Sequence, residues 1–217
     1  MKGDQPMAHS LCVNHYPNNT MTLTGQGHVT ATPDLAVIHL GIQTTGYDLS
    51  HIQSENAEIS QRVIQYLRKD WTAEIKTIQY SIDKIYEFED GKQIDKGYSV
   101  RHMLEIRTNN INQVGNIIDA AVNVGSNVVE SISFELFEPD IYYQQALNMA
   151  VDNAIQKAKS ISANLQKVLN PTPIRITEGS VAPAPMQQFR QEVVATPIVP
   201  GELKIQAFVT ADFIYAY

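Results

Sequence analysis

Apolar and polar residues alternate in several stretches of this chain, which is the pattern of β-strands that bury one face. The clearest run ends the chain, where apolar side chains occupy every odd position from Leu203 to Tyr217. Further runs predict strands, in chain order, at residues 21–31, 36–42, 78–88, 98–106, 128–137 and 174–176. Gly25 and Gly27 lie within the first run, and they indicate a bulge or a close approach of two backbones.

Three other stretches have the 3.6-residue period of amphipathic helices. The pattern predicts helices at about residues 49–70, 110–124 and 140–168. Gly125 follows the second helix, at the position where a C-terminal cap belongs. The apolar face of the third helix is rich in alanine, and small side chains allow a helix to lie close to a sheet.

The order of elements is β-β-α-β-β-α-β-α-β-β. Asp90-Gly91 tolerates the positive φ of a hairpin turn, so the strands on either side of it predict a long β-ribbon at about residues 73–108. Hairpins mixed with helical crossovers predict an α+β fold, with a mixed, largely antiparallel sheet and three helices mainly on one face. We expect a flexible leader over residues 1–20 and a single domain over 21–217, with a Pro-rich loop at about 182–201.

Composition and charge exclude several classes of partner. The chain carries 16 basic and 23 acidic residues, a net charge of -7, which argues against nucleic acid, because phosphate binding needs a basic face. No apolar run is long enough to predict a transmembrane segment. The first residues lack the apolar core of a signal peptide, which predicts a cytoplasmic location, with an extracytoplasmic one as the alternative if a leader has been removed. Cys12, the single cysteine, is expected to be an exposed bystander.

The sequence contains no recognisable catalytic motif. TGQGHVTA lacks the third glycine of a dinucleotide fingerprint, and no GxSxG or HExxH string is present. His51 and Glu55 lie one helical turn apart, but a metal site needs a third ligand, so we interpret them as part of a solvated helix face. His102 falls among apolar positions and is expected to be a core histidine bonded to a neighbour. We therefore predict no catalytic, cofactor-binding or metal-binding residues, and a protein that is not an enzyme.

Aromatic clusters and the Pro-rich loop are the candidate contact surfaces. Tyrosine and phenylalanine are enriched at interfaces, although core packing is the commoner explanation of such clusters. The apolar residues of the loop need cover, either from their own domain or from a neighbouring molecule. The candidate interface residues are Tyr142, Tyr143, Met186, Phe189, Val193, Val194, Tyr215 and Tyr217.

Several strings along the chain resemble the SIMPL-domain family, formerly a family of unknown function that includes bacterial periplasmic immunogenic proteins. These strings are LTGQGHVTATPDLAVIHLGIQT, SENA, IQYSIDKIYEFEDGKQIDKGYSVRHMLEIR, VGNIIDAAVNVGSNVVESISFEL, ALNMAVDNAIQKAKSIS and PIVPGELKIQAFVTADFIY. The resemblance covers about residues 21–217. It implies an α+β fold, oligomeric assembly and a loose association with stress response, the cell envelope or signalling scaffolds, and it carries over no catalytic residues.

The leading hypothesis is a homo-oligomeric scaffold or protein-interaction domain that uses strand edges, the ribbon and the Pro-rich loop, with an unidentified protein partner as a further possibility. One alternative is a protein that binds a small molecule or an envelope component between helices and sheet. Another is an unrecognised hydrolase or metalloenzyme.

Overall fold

The computed structural model describes residues 19–70, 73–179 and 200–216, which form two compact units. The first unit contains residues 19–28, 145–179 and 206–216, and the second contains the remaining described residues. Each unit has its own sheet and its own apolar core.

The second unit is a four-stranded antiparallel sheet with two helices on one face. Its strands are β2 (Leu35–Gly46), β3 (Glu74–Glu89), β4 (Lys92–Thr108) and β5 (Val128–Glu135). They lie in the order β3-β4-β2-β5, so β3 forms one edge. The helices are α1 (Leu49–Asp70) and α2 (Val114–Asn123), the latter preceded by a 3₁₀ turn at Ile111–Gln113.

Period-two apolar residues of the sheet and period-3.6 residues of the helices build the core of this unit. The core residues are Ala36, Ile38, Leu40, Ile42, Val63, Leu67, Leu104, Ile106, Val114, Ile117, Ala121, Ile132 and Phe134. The Asp48 carboxylate accepts the N–H groups of Ser50 (2.9 Å) and His51 (3.2 Å), which caps the start of α1. Gly125 has a φ of 121° and ends α2, as the sequence predicted.

The first unit packs one helix closely against a sheet. The strands are β1 (Thr20–Ala31), β6 (Val168–Leu169), β7 (Arg175–Glu178) and β8 (Leu203–Ala216), and the helix is α3 (Pro139–Asn164). β1 and β8 are neighbours, and β6 and β7 each pair with β8. A Cβ on Gly25 would overlap the carbonyl oxygen of Ala150, and one on Gly27 would overlap that of Ala146. The predicted close approach of two backbones is confirmed.

The α+β class is confirmed, but the strands form two sheets rather than one. The predicted end of the third helix at residue 168 is wrong. α3 ends at Asn164 because Gln166 takes a positive φ of 54° and the Lys167 N–H returns to the Ser162 carbonyl at 2.9 Å. Val168 instead begins β6.

The predicted apolar stripe of α3 is also partly wrong. The buried positions are Ala146, Ala150, Ala154, Ala158 and Ser162. Ile161 and Leu165, which the pattern placed on the buried face, are 39% and 50% exposed. The small residues take the buried positions because only they permit the close approach to β1.

Within the described ranges, neither α1, α2 nor α3 is long and apolar enough to cross a membrane. The predicted leader, apart from residues 19 and 20, and most of the Pro-rich loop lie outside the described residues, as does Cys12, and Thr20 already belongs to β1. The expectation of a single domain over residues 21–217 stays a prediction.

Candidate interaction surface

The ribbon of β3 and β4 extends beyond the rest of its sheet. β2 pairs with β4 only as far as Gly46 opposite Tyr98, whereas β3 and β4 continue to Glu89 opposite Lys92. Among the described strands, residues 84–97 therefore have one partner only, and we call this segment the arm. Asp90 and Gly91 both have positive φ, 49° and 76°, which confirms the predicted hairpin turn at its tip.

Ion pairs hold the arm together in place of a third strand. Lys84 Nζ lies 2.9 Å from Asp95 Oδ2, and Lys96 Nζ lies 2.8 Å from Glu87 Oε2. Asp95 also accepts the Gly97 N–H at 2.8 Å. The hydrogen bond from Lys84, followed by that from Gly97, lowers the pKa of Asp95, and Asp95 in turn raises the pKa of Lys84. Both groups are therefore charged at neutral pH, and their ion pair links the two strands where the arm begins.

An apolar stripe runs along the arm and the edge strand. Tyr80, Ile82, Tyr86 and Phe88 occupy alternate positions of β3 and are 48%, 40%, 46% and 73% exposed. Lys84 interrupts the series, but its ammonium is paired with Asp95 and lies 5.4 Å from the centre of the Tyr86 ring. We call the four apolar residues the β3 stripe. Such a series at a sheet edge is typical of contact surfaces, because single scattered apolar residues are the norm elsewhere.

A buried amide ties α1 to the sheet beneath this edge. The Asn56 side chain is fully buried, and its Nδ2 donates to the carbonyl oxygens of Ile42 (3.1 Å) and Val100 (3.2 Å). Its Oδ1 accepts the Ser60 hydroxyl at 3.3 Å. The first two bonds link α1 to β2 and to β4, and the third lies within α1. The amide therefore holds the helix and both strands together.

His102 continues this network to the edge strand. Its Nδ1 lies 2.9 Å from Ser60 Oγ, and its Nε2 lies 2.9 Å from Thr77 Oγ1. Because the Ser60 proton is donated to Asn56, Nδ1 of His102 carries its own proton and Nε2 accepts from Thr77. The Tyr80 ring meets His102 edge-on at 5.6 Å. As expected, His102 is bonded to its neighbours, but it is half-buried rather than a core residue.

A second polar group lies on the opposite face of the sheet. His39 has Ser131 Oγ at 3.1 Å from Nδ1 and Glu105 Oε2 at 3.3 Å from Nε2. Arg107 lies between two carboxylates, 3.6 Å from Glu105 and 3.4 Å from Glu135. The order hydroxyl, imidazole, carboxylate is that of an activated nucleophile. Here, however, Ser131 lies within β5, beside a register shift in its pairing with β2, rather than on a sharp turn between a strand and a helix.

The predicted interface residues are only partly described. Tyr142 and Tyr143 are half-buried in the first turns of α3, and Tyr215 is half-buried on β8. The remaining candidates, Met186, Phe189, Val193, Val194 and Tyr217, lie outside the described residues. Their role in an interface stays a prediction.

Sequence reasoning missed the β3 stripe, although its alternation was visible. The pattern predicted a strand with one apolar face, and such faces are normally buried. The signal that could have found it is the length of the ribbon: β3 has 16 residues and β4 has 17, against 12 in β2, so part of the ribbon must lack a third strand.

Proteins with related sequences are known in other bacteria. The chain is 26% identical to uncharacterized protein YggE of Escherichia coli K12 over 203 residues, which covers 92% of this chain and 82% of that protein. It is 30% identical to the 26 kDa periplasmic immunogenic protein of Brucella melitensis over 188 residues, which covers 82% of this chain and 75% of that one.

The name of the Brucella relative contradicts the expectation of a cytoplasmic location. That expectation came from the missing apolar core of a signal peptide at the start of the sequence. A relative that shares most of its length with this chain is named a periplasmic protein, so the inference from the first residues was wrong.

The family match agrees with the resemblance seen in the sequence. The sequence model of SIMPL, described as a protein of unknown function (DUF541), matches residues 21–213. That span includes the three helices and nearly all the strands of both units. The chain belongs to the SIMPL family.

Proposed function

We propose that this chain is a homo-oligomeric protein-interaction protein that assembles through the arm and the β3 stripe. The observation that carries the proposal is the exposure of Tyr80, Ile82, Tyr86 and Phe88 along one edge strand. Covering such a stripe removes apolar surface from water at about 25 cal/mol per Å².

The two-stranded construction of the arm supports the same conclusion. A hairpin without a third strand has marginal stability in water. In this one, two ion pairs link the strands to each other. Phe88 is 73% exposed near its tip, where folding of the chain itself gains little from an aromatic side chain. Aromatic anchors in a partner's pocket, in contrast, contribute much of the energy of an interface.

The name of the Brucella relative supports an extracytoplasmic place of action. We extend the proposal to an assembly that works at the cell envelope. A link to stress response stays a prediction.

The alternatives have less support. A cavity of about 580 Å³ at one end of the sheet of the second unit includes Leu35, Arg107 and Phe137 in its lining. Arg107 already forms ion pairs with Glu105 and Glu135, so its charge is not available to bind a ligand. The Ser131–His39–Glu105 array has the connectivity of a hydrolase site on a flat sheet face. That the chain is not an enzyme stays a prediction, and a hydrolase assay of Ser131→Ala beside the wild type tests it.

The proposal is tested with Phe88→Asp. Light scattering after gel filtration, over a dilution series, should show an assembly for the wild type. The variant should dissociate at a concentration at least about tenfold higher, because a charge would have to be buried in the contact.

Val168→Asp is the matched control, since Val168 is an exposed apolar strand residue (69%) in the other unit. It should assemble as the wild type does, and circular dichroism should show both variants folded. A wild type that stays monomeric at high concentration would refute the proposal.

A further inference from the structure

The acceptor of the arm can be sought on the same molecule, because a second copy presents every surface of the first. The acceptor must offer an apolar floor for Phe88. It must also match the charge of the turn, where Asp90 is exposed two residues after Phe88, while Glu87 is already paired with Lys96. The carboxylate of Asp90 is therefore the charge that an acceptor would meet, and it favours a basic site.

A groove beside the end of α2 fits both requirements. Arg62, Tyr66 and Lys69 lie at spacings of four and three residues, so they share one face of α1. The opposite wall is the end of α2 and the turn that follows it. The lining residues are Arg62, Gln65, Tyr66, Lys69, Val122, Asn123, Val124 and Gly125, around a volume of about 580 Å³.

The apolar floor of the groove is exposed. Tyr66 and Val122 are 40% and 41% exposed, although both sit on helices that bury their other faces in the core. A volume of this size lies within the ~300–1,000 Å³ range of pockets that hold a bound molecule. It has room for a phenylalanine ring from a neighbouring chain.

The charge of the groove is opposite to that of the arm tip. None of the described residues that line it carries a carboxylate, and two of them, Arg62 and Lys69, are cations. Arg62 has Glu58 at 3.9 Å, at the limit of an ion pair between exposed groups, so its guanidinium is open to a better-placed partner. Asp90 lies at the exposed turn of the arm, free of the sheet.

From these observations we infer that the arm of one chain docks into the α1–α2 groove of a second copy, with Phe88 between Tyr66 and Val122 and Asp90 against Arg62 and Lys69. The inference rests on the proposed function, since it names the acceptor of the same arm.

The pairing limits the symmetry of the assembly. Arm and groove are different surfaces of one chain, so each chain both gives an arm and receives one. Two chains that exchange arms reciprocally form a twofold dimer, whereas repetition of the contact in one direction produces a closed ring or an open filament.

Complementary variants test the pairing. Phe88→Asp keeps an intact groove, and the double variant Arg62→Glu with Lys69→Glu keeps an intact arm. Each should assemble at least about tenfold more weakly than the wild type, and an equimolar mixture should form a one-to-one heterodimer, measured by light scattering. A triple variant that also carries Asp90→Lys should recover assembly, because the charges on the two sides of the contact are then exchanged. Glu87 is left unchanged, since it pairs with Lys96 within the arm.

Each outcome separates the two proposals. A monomeric wild type overturns the proposed function and this inference with it. If the groove variant assembles as the wild type does while Phe88→Asp does not, the groove is not the acceptor, but the proposed function stands. If Phe88→Asp and the Arg62→Glu, Lys69→Glu variant both remain monomers when mixed, the groove is not the acceptor. Recovery in the triple variant shows that lost assembly came from charge and not from misfolding, whereas a triple variant that assembles no better than the double variant overturns the charge pairing.

Discussion

At the residue scale, His102 joins the buried network of the second unit to the edge strand. It is the link between Ser60 on α1 and Thr77 on β3, with hydrogen bonds of 2.9 Å to each. Removal from water lowers the pKa of His102 below its ordinary value of 6.5. The folded chain therefore holds a neutral imidazole where a solvated one would begin to be charged.

This lowered pKa predicts a loss of stability on mild acidification. As the pH falls through 6.5, the unfolded chain binds the proton before the folded chain does, so the free energy of unfolding decreases. Above pH 6.5 the imidazole of His102 is neutral in both the folded and the unfolded chain, so it does not lower the free energy of unfolding there. Urea unfolding between pH 7.5 and about 5 should show this slope for the wild type and a smaller slope for His102→Gln.

The matched control is His28→Gln, which removes an exposed histidine and should keep the slope of the wild type. Asp95 and Asp212 do not interfere, since their pKa values are lowered from 3.8 and their contributions are lost only at more acidic pH. Equal slopes for His102→Gln and the wild type would show that this histidine does not control the acid response.

At the element scale, the first unit depends on how closely α3 approaches β1. Gly25 and Gly27 leave space for the backbone of α3, and the facing helix residues are small. The core on this side contains Ala150, Ala154 and Ala158, with larger residues contributed by β8. Close packing of small residues gains dispersion contacts along the whole interface, but it leaves no room for an added atom.

Gly25→Ala should therefore destabilise the fold. The new Cβ would overlap the Ala150 carbonyl oxygen, so strand and helix must separate, at a cost of about 1–3 kcal/mol in the free energy of unfolding. Urea denaturation provides the measurement.

Gly201→Ala is the control for the same chemical change, because no atom of the described residues, its chain neighbours apart, lies within 4 Å of its added Cβ. Its effect should be close to zero or slightly stabilising. If both variants unfolded at the same denaturant concentration, the close approach would not limit the stability of the unit.

At the scale of the whole molecule, assembly and stability are coupled by mass action. A contact that forms only between folded chains stabilises the folded state, and more so at higher chain concentration. The arm is the element that gains most, since residues 84–97 have only one strand partner within their own sheet.

The thermal midpoint of the wild type should consequently rise with protein concentration. That of Phe88→Asp should rise less over the same range, because the contact is at least about tenfold weaker in this variant. Scanning calorimetry over about a hundredfold range of concentration checks the prediction, for which mass action gives up to about 2.7 kcal/mol of added stability. A midpoint independent of concentration in both proteins would argue that the arm is not stabilised by association.

The sequence by itself determined the local elements of this protein. The α+β class, the hairpin at Asp90-Gly91, the cap at Gly125 and the close approach at Gly25 and Gly27 were all predicted. These features depend on neighbouring residues: a two-residue or 3.6-residue period, a positive φ or a missing Cβ acts within one turn or one strand.

Only the tertiary structure decided which apolar faces are covered. Periodicity indicates that Tyr80, Ile82, Tyr86 and Phe88 share a face, but not that β3 is an edge strand with an exposed face. Periodicity also could not show that α3 buries its alanines while Ile161 and Leu165 stay exposed. Nor could it show that the strands divide between two sheets. Burial depends on which distant segments pair, and that is a property of the whole chain rather than of any local pattern.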